Sequence, residues 1–510
     1  MTLAFTSNPA TFGVTTPPPF DPVVISGFTE ASLSPTSELL GWSCAPGAQA
    51  QVEYGLTGGY GLTTALEASF LVTHSQTITG LAPGTLYRYR VRAISATGAN
   101  VYSAERTFTT ASDTSGITYV RTVTWPTGPG YTSGTPATVR ANLQALIVSG
   151  GSGTNATNRV LHDIPAGAIY TIDTALDFSG LDYLTFRGNG VARFTTVVTP
   201  RGNLQITAAG NTGGALMRTT SVYPANTSTA AIFSSMYGNL GPSTYRATDI
   251  SFTGLNFEGN NPAVNINAIT MADGGNEVQH GIAAFGVDGL EVAYCGFAKL
   301  KGDCVALQGS AGSTASDPAD VRTRNVNLHH NEFGEAGRVG VFLGKCSAVR
   351  IADNLYRNAA YAFIDFEPDY FHMYIGTTDI LRNTFAGRCN WDTTFYMSSI
   401  YLTRIIGRPG THVFDGPITI ANNVWNDLHS RNPGSVEVET SYGDVNKTGA
   451  FIFRDNERIA NRHPGPVLRL AGFQAGWTIT GNGDFMTGFG GSFVADAGGN
   501  SGTLSASGNT

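Results

Sequence analysis

The sequence predicts an all-β protein in two parts: a small β-sandwich in front and a long solenoid of stacked parallel strands, a β-helix, behind it. Three observations lead there. Residues 23 to 110 break into short alternating runs divided by turn residues. The pattern apolar-x-x-Asn-x-aromatic returns repeatedly through the back half of the chain. The composition is that of a turn-rich β-protein, with 63 glycines in 510 residues, 13% charged side chains, and 41% hydrophobic and 10% aromatic residues to fill a core.

Charge and targeting signals narrow the function classes. A formal net charge of −7 without a Lys/Arg cluster argues against nucleic acid or an anionic membrane surface as a partner. No apolar run reaches the ~18 residues of a membrane span. The start, "MTLAFTSNPATFGVTTPPPFDP", lacks a basic region and a sustained apolar stretch, so no secretory leader is expected there. The five cysteines, Cys44, Cys295, Cys304, Cys346 and Cys389, are far apart and form no CxxC pair; they read as small buried hydrophobes.

Taken in order, residues 1–22 form an extended arm, because "TTPPPFDP" removes backbone donors and fixes φ. Residues 23–110 hold the runs "VVISGFT", "ELLGWSC", "AQVEYGL", "SQTITGL", "LYRYRVRAIS" and "ERTFTT", which suit a sandwich. Within them "LAPGTLYRYRVRA" resembles the tyrosine corner of fibronectin type III domains. That resemblance implies a corner role for Tyr87 and a core role for Trp42; Tyr89 and Val91 share the face of Tyr87 by parity. Residues 111–136 are rich in Gly, Ser, Thr and Pro and read as a linker. Next, Val139, Leu143, Leu146 and Ile147 lie at helical spacing between Thr135-Pro136 and Gly-Gly, giving a short helix that caps the solenoid. The solenoid itself is placed at 137–500 including this helix, with 501–510 a flexible tail.

The repeat appears as "LHHNEF", "IADNLY", "ILRNTF" and "IANNVW", with weaker copies "FRDNER" and "ITGNGD", and "VAYCGF" carrying Cys at the Asn position. From residue 292 onward the starts are 36, 23, 29, 40, 33 and 26 residues apart, as in coils whose loops vary in length. Asn331, Asn354, Asn383, Asn423, Asn456 and Asn482 then sit at a repeated bend, where stacked amides satisfy backbone groups, and the aromatic two residues on points inward. The segment "VLHDIPAGAIYTIDTALDFSGLDYLTFRGNG" resembles the opening coil of pectate-lyase-like proteins. This resemblance implies a single-stranded right-handed parallel β-helix, a pectin-lyase-like solenoid.

A second strand precedes each bend. Its alignment directs Val305, Val341, Ile364 and Leu468 inward beside Leu307, Leu343, Phe366 and Leu470, and turns Ala306, Gln308, Phe342, Asp365, Glu367, Glu437, Glu439 and Arg469 outward into water. Asp365 and Glu367, two residues apart, have backbones ~6.6 Å apart, which suits the ~5 to 9.5 Å between the two carboxyls of a glycosidase. They are the candidate catalytic pair, one held protonated by repulsion from the other; an acidic pair on the wet face of a strand is the alternative. Asp369, Tyr370, His372, Tyr374, Trp391, Tyr396, Glu437, Glu439 and Arg469 are the candidate substrate-binding residues, the aromatics offering apolar faces to sugar rings. Asp303, in "GDCVALQG", is similar to the Gly-Asp-Asp segment of polygalacturonases, but Cys304 replaces the second Asp and His280-Gly281 precedes it, so a turn-capping role is expected. Arg350 and Arg469 are the available bases for an elimination. Of His329 and His330 one faces outward, with no metal-ligand spacing around them. No cofactor is expected, and calcium stays open without a residue pattern for it.

The order of arm, sandwich and β-helix resembles phage tailspikes and minor tail proteins. That implies a virion tail location, host cell-surface polysaccharide as ligand or substrate, contact with other tail proteins through the N-terminal region, and a homotrimer. The end, "FVADAGGNSGTLSASGNT", carries no coiled-coil or apolar trimerisation segment. Two other classes stand beside this one: a secreted polysaccharide lyase or glycoside hydrolase, and a non-catalytic adhesin or structural spike.

Overall fold

A computed structural model describes residues 23–34, 37–56, 59–81, 86–110, 117–220, 231–235, 246–261, 279–309, 321–367, 374–388, 399–402, 413–428, 438–440, 446–461, 468–470, 476–483, 494–496, 504–507 and 509. The chain divides into two compact units, Met1–Thr114 and Ser115–Thr510.

The front unit is built around one long strand, Ser37–Gly55, which serves two layers. Its first half pairs antiparallel with Val24–Ser34 and Leu71–Thr79, and its second half with Leu86–Ile94 and Leu62–Thr63. Between the layers lie Leu40, Trp42 and Cys44 from the first half, Ala50 and Val52 from the second, and Tyr87, Tyr89, Val91 and Phe108. Trp42 stacks on His74 at 5.2 Å, and Tyr87 on Phe108 at 5.4 Å. The inward parity of Tyr87, Tyr89 and Val91 is as the alternation requires.

The second unit is a parallel β-helix. Each coil contributes a strand to sheet I, then sheet II, then sheet III; one full coil reads Cys346–Ala352, Leu355–Ala359, Ile364–Phe366. Among the described residues sheets I, II and III hold 15, 9 and 10 strands. The main path of sheet I runs from Thr118–Thr124 to Leu504–Ser507, every pair on it parallel. One apolar core fills the interior, and the helix Pro136–Gly150 closes its first end with Val139, Leu143 and Ile147. Thr135 caps that helix by accepting from the Thr138 amide at 3.3 Å.

The bend between sheets I and II is the Asn column. Asn331 is buried and accepts from the Cys295 amide at 2.9 Å; from Asn354 to Asn482 each buried Asn accepts from the backbone amide and the side-chain amide of the Asn one coil earlier, as from Asn354 to Asn383 at 3.0 and 3.1 Å and from Asn383 to Asn423 at 2.8 and 3.1 Å. Each Asn also donates back to a carbonyl, as Asn383 does to Ile351 at 2.9 Å. The turn is made by the residue just before. Tyr294 (before Cys295), His330, Asp353, Arg382, Asn422 and Asp455 all have φ between 52° and 59°, left-handed backbone that side chains ordinarily avoid. Two residues after the Asn, the aromatics stack inward: Phe297, Phe333, Tyr356, Phe385 and Trp425 follow one another with centroids 5.3, 4.7, 5.1 and 4.8 Å apart.

Two boundaries move. Residues 118–124, read as linker, pair with Asn158–Asp163 as the first strand of sheet I, because Thr118 through Thr124 alternate against it and Trp125 anchors them in the core. Residues 501–510, read as a flexible tail, contain Leu504–Ser507, which pairs with Trp477–Thr480. Asn509 continues the Asn column, accepting from Asn482 Nδ2 at 2.8 Å. Cys44, Cys295, Cys304 and Cys346 are buried free thiols, and Cys389 lies outside the described residues. No helix among the described residues is long and apolar enough to cross a membrane.

Candidate functional site

Sheet III gives the candidate site its frame. Its register stacks Ile282, Val305, Val341, Ile364 and Ile400 in the core row, and Ala283, Ala306, Phe342, Asp365 and Tyr401 in the adjacent outward row; by backbone pairing it continues into Val438–Thr440 and Leu468–Leu470. The expected parity therefore holds: Ile364 and Phe366 are buried in the core and Asp365 points the other way.

Outward does not mean solvated. Asp365 is only 1% exposed, which corrects the expectation that it stands in water. A second apolar layer lies outside the sheet: Ala306 and Phe342 of the outward row pack with Val339, Ala360, Tyr361 and Ala362 from the corners between sheets II and III, with Phe285 and Tyr401 against them. A carboxylate under that layer requires a charged partner. The partner is Arg338, in the corner just before Val341–Leu343.

Arg338 is a hub. Its Nη1 donates to Asp303 Oδ2 at 3.0 Å, its Nη2 pairs with Glu367, and Asp365 Oδ2 lies 3.9 Å from Nη2. Its guanidinium carbon sits 4.9 Å from the Phe342 ring centre. Asp303 is fully buried, accepts from the Val339 amide at 3.2 Å, and lies 3.2 Å from His280 Nδ1. His280 Nδ1 is also 3.2 Å from the Asp303 amide, so a neutral ring accepts there and a protonated one donates to the carboxylate. Asp303 thus bonds an amide of the next coil and belongs to an ionic cluster reaching over successive coils. Glu367 is its most exposed member, half-buried with its amide bonded to Leu343 O at 2.9 Å.

Sequence reading missed Arg338 as a partner of both predicted acids. It also underused His280, which stands two residues before Ile282 as Asp303 stands two before Val305, so the register of these strands already aligned them. Of the other candidates, Tyr374, Glu439 and Arg469 are placed in strands by their backbones alone. Asp369, Tyr370, His372, Trp391, Tyr396 and Glu437 lie outside the described residues. Among the described residues no group of three or more His, Cys, Asp or Glu is arranged to hold a metal ion.

A second polar cluster occupies the outer side of sheet I at the Asn bend. Ser251 donates to Glu291 at 3.1 Å, Glu291 lies 3.2 Å from His329 Nε2, and His329 Nδ1 lies 2.9 Å from His330 Nδ1. Burial, reinforced by His329, pushes His330 down to about 3. Burial alone would raise the Asp353 carboxyl, but Arg382, His330 and Arg350 hold it at about 2. Arg382 clamps Asp353 through Nε at 2.8 Å and Nη2 at 2.7 Å. Arg350, a candidate base, is engaged with Asn327 at 2.9 Å and Asp353 at 3.5 Å and sits on a different face from Asp365.

No family model matches the chain and no curated protein matches it. Solved structures share its general form at a distance. The family 28 exopolygalacturonase of Yersinia enterocolitica is 12% identical, with 94% of this chain and 98% of that one covered and a TM-score of 0.34. ORF18 of Geobacillus virus E2 is 10% identical over 82% and 68%, with a TM-score of 0.43. Tailspike protein gp49 of Acinetobacter baumannii bacteriophage Fri1, a capsular polysaccharide depolymerase, is 9% identical over 82% and 71%, with a TM-score of 0.34. Likenesses this faint decide neither fold nor activity; the strand register and the Asn column establish the β-helix.

Proposed function

We propose that the chain is a virion tail component that recognises host cell-surface polysaccharide on the outward side of sheet III, centred on the cluster around Arg338. One observation supports this most: Asp303, Asp365 and Glu367, from two separate coils, meet an arginine from the coil between them at the edge of a long, regular face. Burying such a group costs several kcal/mol per ion before pairing, about as much as a whole domain's net stability. The partly exposed Glu367 carboxylate and the Arg338 guanidinium suit sugar hydroxyls, and the half-buried Tyr401 brings ring surface alongside. The tail setting is supported by the order of modules, a sandwich preceding the solenoid. Contact with other tail proteins through the front unit and assembly as a trimer belong to the same reading.

Glu367 is the group of the predicted pair placed to act chemically, being partly exposed where Asp365 is enclosed. Both carboxylates already lie against the Arg338 guanidinium. That pairing gives a second reading specific support: a non-catalytic adhesin that binds glycan without cutting it.

Incubation of the purified protein with capsular or envelope polysaccharides tests these readings. New reducing ends mark hydrolysis, and ultraviolet absorbance of an unsaturated uronate marks elimination. Binding without either product favours the adhesin. Absence of binding across the panel overturns the glycan reading.

A further inference from the structure

Residues 193–210 leave the first coils as an antiparallel hairpin, Thr195–Val198 with Leu204–Ala208. The hairpin runs across the coils, not along them. In sheet II the outward column beside the Asn bend is Glu332, Leu355, Thr384, Val424 and Glu457, one residue per coil. The hairpin lies on this column from end to end. At its base the Gly210 amide donates to His330 O at 2.8 Å, and Phe194 packs on the His330 ring at 4.3 Å. In its middle, Ile206 and Ala209 pack with Leu355, and the Ile206 amide donates to Thr384 Oγ1 at 2.7 Å. At its tip Thr199 donates to Glu457, Asn203 Nδ2 reaches Glu457 at 3.2 Å and Asp455 O at 3.1 Å, and Arg201 Nη2 reaches Gly481 O at 3.4 Å.

The dimensions agree. Four steps between coils at ~4.8 Å span ~19 Å, and the run from Asn203 to Gly210 at ~3.3 Å per residue spans ~23 Å. Close approach fixes the base: Gly210 has φ 83°, and a Cβ there would stand 3.1 Å from Cys295 O. Leu355, Thr384 and Glu457 are each at most 1% exposed although they face away from the core, because the hairpin contacts each of them.

We infer that residues 193–210 are an axial brace that couples the unfolding of coils otherwise joined mainly to their neighbours, with the Arg322–Asp415 ion pair a local exception. In a solenoid stability is a sum of nearest-neighbour terms, and the ends open first. The hairpin adds contacts between residues 178 to 280 positions apart, from the first coils directly to those near the far end. Opening the coil that carries Glu457 therefore breaks the hairpin tip as well. The grip at His330 and Leu355 also falls on the two coils that supply Arg338 and Asp365, so the spacing of the ionic cluster is held from the opposite end of the sheet II strands. This inference stands whether or not the protein binds a glycan.

Hydrogen exchange followed by mass spectrometry on the full chain tests it. In a Thr199→Ala/Asn203→Ala variant, amides of Phe451–Arg454 and Glu457–Asn461 should exchange about tenfold faster or more, with Pro136–Gly150 and Asp182–Arg187 unchanged. Gly210→Val, which lifts the base, should give the same acceleration beginning at His330. If that variant fails to fold, the tip variant alone decides. Unchanged exchange near Glu457, or acceleration of equal size throughout the chain, overturns the brace.

Discussion

Arg338 and Asp303 form a 3.0 Å ion pair between successive coils of the β-helix, and the carboxylate in it has no exposed surface. The pair therefore belongs to the folded state's electrostatics as much as to any ligand site, and both roles are measurable.

Arg338→Met keeps the contact with Phe342 and removes the charge. Asp303 and Asp365 then remain buried without their cation, and the variant should lose about 3–5 kcal/mol of stability in denaturant titration. A loss under about 1 kcal/mol would mean that water already reaches the cluster.

Glu367→Gln separates chemistry from binding. Where the wild-type chain releases sugar ends, this variant should release them at least about 10²-fold more slowly with little change in affinity. Asp365→Asn should act mainly on folding, since Asp365 is buried in the row between Phe342 and Tyr401. Full activity in Glu367→Gln would remove that residue from the chemistry.

Asn383→Ala interrupts the Asn column. The Asn354 backbone and side-chain amides lose an acceptor and the Ile351 carbonyl loses a donor, so the expected cost is about 1–3 kcal/mol. An unchanged melting temperature would contradict the structural role of the column.

Acid should weaken the fold through His330. Its folded value of about 3 lies below the ordinary 6.5, so between these the unfolded chain binds more protons and stability falls as pH falls. The slope should approach ~1.4 kcal/mol per pH unit for one proton. Asp353, held at about 2 against its usual 3.8, adds stability above 3.8 that is lost as pH drops toward 2. His330→Asn, which tolerates the left-handed backbone, should flatten the curve above pH 4; an equally steep curve would assign the loss to other groups.

Much of the β-helix was legible because its period is written in side chains that touch their own kind. Asn383 lies on Asn423 and Phe385 on Trp425, so the repeat in sequence is the stack in space. The parity of sheet III was legible for the same reason. What alternation cannot show is a layer lying over the outward side. Tyr361 and Val339 come from corners with no repeat, so the burial of Asp365 was hidden. Arg338 is one residue out of step with Asp303 in the strand register, which masked it. The final coil had a signal in Ala506-Ser507-Gly508-Asn509, apolar-x-x-Asn again, but its small polar residues resemble a loose tail. The hairpin at 193–210 owes its place to contacts with residues far along the chain, which no local pattern carries.

The left-handed residue before each Asn has a consequence for ancestry. Tyr, His, Asp, Arg and Asn all occupy that place with nearly the same φ, so the corner is specified by backbone shape and the next residue's amide, not by the chemistry of the turning residue. A coil excised from one such corner to the next is a self-contained cassette. Trading one for a cassette with a longer outer loop should re-equip the chain while the corners stay in place, whereas a coil added between His330 and Glu457 would outrun the 193–210 hairpin, so exchange is the route by which such a chain acquires new surfaces while its scaffold stays the same.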